Sequence, residues 1–161
     1  MHAMAVDGNA IGVHTWNHAD LRRLPSRADD VEIRRTAAVI RAYAGVRARL
    51  LRPPDGSLDP RVLRLVRRSG LVTVLWSVDT DDWTRPGGAR ILQRALAGVR
   101  PGAILLLHDG GGDRAETVQA VPRLVRALRA RGYRLVTVPR LLALAPPPPG
   151  TLNLGQSLEG D

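Results

Sequence analysis

Four short stretches of this chain carry residue types that can do chemistry, and each follows an apolar run. The first is Gly12-Val13-His14-Thr15-Trp16-Asn17-His18. Two imidazoles four residues apart point the same way on a helical turn and can share one divalent ion. Two such ligands plus a carboxylate leave coordination positions open for water. The second stretch, Arg52-Pro53-Pro54-Asp55-Gly56, sets a cation and an acid in a loop too rich in proline and glycine for regular structure. The third, Asp79-Thr80-Asp81-Asp82-Trp83, gathers carboxylates beside an aromatic ring. The fourth is His108-Asp109, whose imidazole can give or take a proton near neutral pH. Singly, each has a bland role: Arg52 as an ion-pair partner, Trp83 as a core aromatic, Asp79 and Asp82 as loop caps, His108 as a satisfied strand-end histidine. Four in order, each at the end of a predicted strand, point to one functional face.

The elements that position them alternate. Residues 10–13 read as a short buried strand, with the His-x3-His pair where it breaks into a loop or a first helical turn. Ser26 opens a helix as its cap, with Asp29 and Asp30 at the positive end of the dipole. Ile33, Ala37, Ile40 and Ala44 give that helix one apolar face, and Gly45 stops it. Leu50-Leu51 is a brief strand. Asp59-Pro60 starts a second helix, with Val62, Leu65 and Val66 inward and Gly70 at its end. Residues 71–78 form a β-rich run. Ile91, Leu92, Ala95, Leu96 and Val99 mark a third helix. Residues 103–107 form a continuous apolar strand of the kind buried on both faces. A fourth helix has Val118, Val121, Val125 and Leu128 on one side and ends at Gly132. Residues 134–138 read as a last strand, and 139–142 start a short helix. Alternation of this kind predicts an α/β fold with parallel strands and the site at their C-terminal ends.

At 161 residues the chain is sized for one domain with a real core. Residues 1–145 read as that domain and 146–161 as a Pro/Gly-rich, disordered tail. Cysteine is absent, which excludes disulfides and thiolate chemistry. No apolar stretch is long enough to span a membrane, and no signal peptide is visible at the start. The net charge of +9 invites a nucleic-acid reading. Every basic side chain is arginine, however, and the arginines are spread over several helices with no interleaved aromatics. Solvated helix faces explain them better, so no specific nucleic-acid partner is expected.

Taken together, the motifs resemble those of the polysaccharide deacetylase family, the NodB homology domain of carbohydrate esterase family 4. His14-Thr15-Trp16-Asn17-His18 matches its His-Ser/Thr-x-x-His metal motif. Arg52-Pro53-Pro54-Asp55-Gly56 is similar to its Arg-x-Pro-x-Gly loop. Asp79 to Trp83 is similar to Asp-x-x-Asp-Trp, with Trp83 setting the register, and Leu106-Leu107-His108 matches Leu-x-His. The resemblance runs from about residue 6 to residue 144. It implies an incomplete, distorted (β/α) barrel with parallel strands, and a metal-dependent hydrolase that removes N- or O-acetyl groups from a carbohydrate polymer.

The same resemblance implies the roles. His14 and His18 hold a divalent metal, zinc or else cobalt or nickel. His108 is the general acid, with Asp79 raising its pKa by favouring the imidazolium. The amide after Pro54 helps stabilise an oxyanion, Leu106 lines the acetyl pocket, and Arg52 orients a catalytic carboxylate. Pro54, Asp55, Trp83 and Leu106 contact a substrate such as a chitin-like or peptidoglycan glycan. Members are usually secreted or at the cell surface. Two departures stand out. The family's Thr-Phe-Asp-Asp-Gly-Pro motif, source of the general base and third metal ligand, has no counterpart before His14, where Asp7 is the only carboxylate. Asp55 also stands where the family usually has an aromatic. The expectation is an N-terminally truncated domain with impaired activity; the alternative is a catalytically inactive carbohydrate-binding or scaffold module.

Overall fold

The computed structural model describes residues 1–144 and Pro146; the rest of the predicted tail, and the side chain of Ser26 expected to cap the first long helix, lie outside the described residues. The described chain falls into two compact units. One comprises residues 1–75 with the segment from 137 onward, and the other residues 76–136. Among the described residues no helix is long and apolar enough to cross a membrane.

The first unit opens on a short helix that sequence reasoning did not anticipate, α1 (His2–Val6), which packs on α2 (Ser26–Ala44). Pro25 occupies the N-cap position of α2, where its carbonyl accepts the amides of Ala28 and Asp29 at 2.8 and 3.1 Å. Gly45, at φ 72°, closes the helix in the left-handed conformation that glycine takes without strain. Strand β1 (Leu50–Leu51) runs parallel to β2 (Val72–Thr73). The predicted first strand shrinks to Val13, which bridges Leu51: its amide reaches Leu50 O at 2.8 Å and its carbonyl accepts from Arg52 N at 3.0 Å. Helix α3 (Pro60–Arg68) begins as expected, with Asp59 Oδ1 accepting from Val62 N at 2.7 Å and proline at the first position. Val13, Leu21, Ile33, Ile40, Leu51, Val62 and Val66 form the core of this unit.

The second unit holds β3 (Val78–Asp79) parallel to β4 (Leu105–Leu106), with α4 (Gly88–Gly98) packed on α5 (Ala115–Ala130). The predicted strand at 71–78 is therefore two strands. Its amides change partner: Val74 N bonds Leu51 O, whereas Ser77 N and Val78 N both bond Ile104 O. Gly98 ends α4 where an added Cβ would stand 2.8 Å from Val78 Cγ1, so the close approach of helix to strand requires glycine. On α5 the buried stripe is Thr117, Ala120, Leu124 and Leu128, while Val118 and Val121 are exposed. Leu128 is buried as expected, while Ala120, against Gly88 of α4, and Leu124 are buried where Val118 and Val121 were expected to be. The predicted strand at 134–138 is also absent: among the described residues it has no strand partner, Leu135 and Val136 are exposed, and α6 (Val138–Leu144) starts there. Among the described residues the architecture is mixed α/β, with one parallel strand pair in each unit.

Candidate active site

In the first unit the His14–His18 pair sits in a loop with no helical turn. Thr15 and His18 adopt positive φ, 59° and 56°, and these two left-handed residues fold the loop back on itself. The rings meet edge to face with centroids 4.9 Å apart, so the pair forms without the predicted helical geometry. His14 Nδ1 lies 2.6 Å from the carbonyl oxygen of Arg52. A carbonyl can only accept, so Nδ1 carries the hydrogen, and whenever the ring is neutral its lone pair lies on Nε2. A backbone carbonyl on Nδ1 fixes ring orientation and tautomer in the way that also suits metal-ligating histidines in general.

Helix α2 holds this loop in shape. The carboxylate of Glu32 accepts from Trp16 N at 2.7 Å, Asn17 N at 2.9 Å and Asn17 Nδ2 at 2.9 Å. Arg35, one turn on, stacks its guanidinium 3.8 Å over the Trp16 ring. Thr15 Oγ1 accepts from Ala19 N at 3.0 Å. Further along, Arg61 of α3 pairs with the fully buried Asp29 and also donates to Leu21 O, tying the outgoing loop to both helices. Sequence reasoning missed Glu32 and this use of Asp29. The signal was partly present: helical spacing puts Asp29 on the face of Ile33 and Ile40, with Glu32 at its flank, and a carboxylate stays on such a face only if it has partners.

Arg52 contributes through its backbone, which links Val13 to His14. No carboxylate pairs with its guanidinium among the described residues, so the expected orienting ion pair is not observed there; burial lowers its pKa from the usual value. Pro54 is buried in a 3₁₀ turn, and the exposed Asp55 has φ 55°. The amides of Gly56 and Ser57 are consumed by turn bonds, whereas the Asp55 amide makes none among the described residues. It is thus available for an oxyanion.

In the second unit the partner of His108 is Asp82, and this corrects the assignment of Asp79. Asp82, 1% exposed, accepts from His108 Nδ1 at 2.7 Å, His108 N at 2.7 Å and Thr117 Oγ1 at 3.1 Å. Asp79 is exposed and accepts from Trp76 Nε1 at 3.1 Å and Asp81 N at 2.9 Å. The reason is local. Asp79 ends β3 and is spent on its own turn, whereas the 3₁₀ turn at Asp82–Thr84 aims Asp82 inward at the end of β4. Burial alone would raise the Asp82 carboxyl, but the bonds from His108 and Thr117 outweigh it and hold its pKa below the usual value. Leu106 is buried, with its carbonyl held by Thr80 Oγ1 at 3.0 Å. Trp83 is 56% exposed, with its carbonyl fixed by Arg114 at 3.2 Å. An exposed indole is no core aromatic.

A family model for polysaccharide deacetylases matches residues 1–74. The chain is 37% identical over 150 residues to the chitooligosaccharide deacetylase of Bradyrhizobium sp., a match that covers 86% of this chain and 68% of that protein. The chain belongs to the polysaccharide deacetylase family. Another member, the peptidoglycan-N-acetylglucosamine deacetylase of Bacillus cereus, is 36% identical over 141 residues, spanning 84% of this chain and 64% of its own. Among solved members, a CE4 family pseudoenzyme from Bacillus anthracis superposes with a TM-score of 0.81 at 28% identity, over 88% of this chain and 49% of that one. A mutant of that pseudoenzyme has restored enzymatic activity. The deacetylase-family fold thus covers most of this chain and between half and about two thirds of these members.

Proposed function

We propose that this family member hydrolyses N- or O-acetyl groups on a carbohydrate polymer, a chitin-like or peptidoglycan glycan, using a divalent metal such as zinc. The observation that carries the reading is the tautomer lock on His14. Two imidazoles 4.9 Å apart, one anchored through Nδ1 to a carbonyl, are donors that fit such an ion. When bound, the ion supplies Lewis-acid polarisation of the acetyl carbonyl and activation of water. The chain's own residues do the rest. Glu32 and Arg35 keep the histidine loop folded. The Asp55 amide donates to the carbonyl oxygen as charge develops on it. His108, its ring oriented through Nδ1 by ionised Asp82, delivers a proton from Nε2 to the departing amine or alcohol.

A second reading has its own observation. Among the described residues, no third His, Cys, Asp or Glu joins His14 and His18 in a group able to hold an ion. Without a carboxylate beside the water, turnover loses the about 10²–10⁴-fold that a positioned base contributes. The deacetylase reading therefore expects slow catalysis, and the second expects a glycan-binding module with none. Mass spectrometry of acetylated chito-oligosaccharides incubated with the zinc-loaded chain separates them. Loss of acetyl groups supports the first, and intact oligosaccharides that are nevertheless retained by the protein support the second.

A further inference from the structure

A groove of about 670 Å³ lies between α2 and α3 of the first unit, beneath the N-terminal ends of β1 and β2. Arg47 and Ala48 enter it just before β1, and Ser69 and Leu71 just before β2. The His14 ring and Arg52 lie at the other end of the same strands, so this groove is no part of the acetyl chemistry. Its volume falls in the range of ligand sites.

Five arginines line it, with one acid. Arg34 pairs with that acid, Asp30. Arg27, Arg41, Arg47 and Arg68 have no acidic partner among the described residues, leaving an excess of four positive charges around one cleft. Arg27, Arg34 and Arg41 recur every seven residues along α2, which places them on one helix face about 10.5 Å apart. This is a linear array, matched to a ligand with repeated negative charges and not to a single ion. The floor is aliphatic: Ile33, Ala37, Ala48, Leu65 and Leu71. No aromatic side chain lines it, so it offers no stacking platform for nucleobases or sugar rings.

We propose that this groove binds a linear, acyclic phosphodiester polymer, a polyol phosphate whose slim carbon backbone lies on the aliphatic floor while its phosphates meet the arginines. Guanidinium forks bind phosphate oxygens in bidentate fashion. Such a site would hold the protein on an anionic polymer while its catalytic residues address a neutral acetylated glycan.

The test is fluorescence anisotropy with a labelled glycerol-phosphate decamer between 50 and 200 mM NaCl. The R41Q/R68Q variant changes two exposed side chains and is expected to weaken binding at least tenfold. It should flatten the dependence of log affinity on log salt by about 1.4 to 1.8, the counterions of two phosphates. The R123Q/R126Q variant removes the same charge from exposed sites on α5 and is expected to leave binding within twofold of the parent. Circular dichroism melts check that both fold; if R41Q/R68Q does not, Arg27→Gln alone is read in its place. Equal weakening by the α5 variant would show attraction to net charge and overturn the proposal. So would no decamer binding, or equal or tighter binding of an oligothymidylate or a polyuronate.

Discussion

Replacing Asp82 and Asp79 in parallel isolates what the buried carboxylate does. Asp82→Ala strips three accepted hydrogen bonds from a side chain only 1% exposed, and leaves His108 N–H and the Thr117 hydroxyl without their acceptor. An unsatisfied buried donor costs about 1–3 kcal/mol, so two of them predict a loss of about 3–5 kcal/mol. Asp82→Asn keeps the shape. Its amide can face His108 Nδ1 if the ring changes tautomer, while its oxygen keeps the other two bonds, so about 1–2 kcal/mol is expected. Asp79→Asn alters an exposed side chain and should cost no more than about 0.5 kcal/mol. Urea unfolding with linear extrapolation resolves these differences, and in a chain of this size each kcal/mol corresponds to about 2–4 °C in melting temperature. Equal losses for Asp79→Asn and Asp82→Ala would refute the assignment of Asp82 as the structural and chemical partner of His108.

The same carboxylate sets an acid limit. Its folded pKa is depressed, so its stabilising contribution is present above its unfolded value of about 3.9 and disappears as pH falls through the folded one. The stability gap between the parent and Asp82→Asn should shrink as pH falls below about 4; a gap that is undiminished at pH 2 would contradict the depressed carboxyl. Glu32→Gln should leave the chain folded and lower zinc affinity about 10- to 100-fold by loosening the Trp16–Asn17 turn, as read by calorimetry; unchanged affinity would show that α2 does not position the histidines. Asp29→Ala, which removes the ion-pair partner of Arg61 and leaves it only the carbonyl of Leu21, should cost about 1.5–3 kcal/mol in unfolding, and a neutral result would contradict the tie between the loop and α3.

How much of this was legible depended on whether the cause was local. The cap at Asp59-Pro60, the stop at Gly45 and the parallel α/β pattern are short-range signals, and the structure bears them out. The order of motifs carried the family. Pairing was less legible, because a strand exists only where a partner offers its edge. Residues 134–138 have the composition of a strand but no described edge to join, and residues 71–78 serve two different partners. The choice between Asp79 and Asp82 turns on backbone conformation at Asp81, φ 48°, which residue types alone do not reveal. Glu32 was hidden for a different reason. Its three partners lie fifteen and sixteen residues back, and its place at the flank of the apolar face of α2 gave only a weak hint that it was not a solvated charge.

The measurement closest to the central claim is the rate of acetate release from N-acetylated chitohexaose with zinc, cobalt or nickel, for the parent chain, the His14→Ala/His18→Ala variant and His108→Ala. The account predicts slow release that stops on chelation, falls to baseline in the double variant, and drops at least about 10²-fold in His108→Ala while zinc binding persists. Release that survives chelation, or that is untouched in either variant, would contradict it, as would a parent chain that binds the hexamer and frees no acetate.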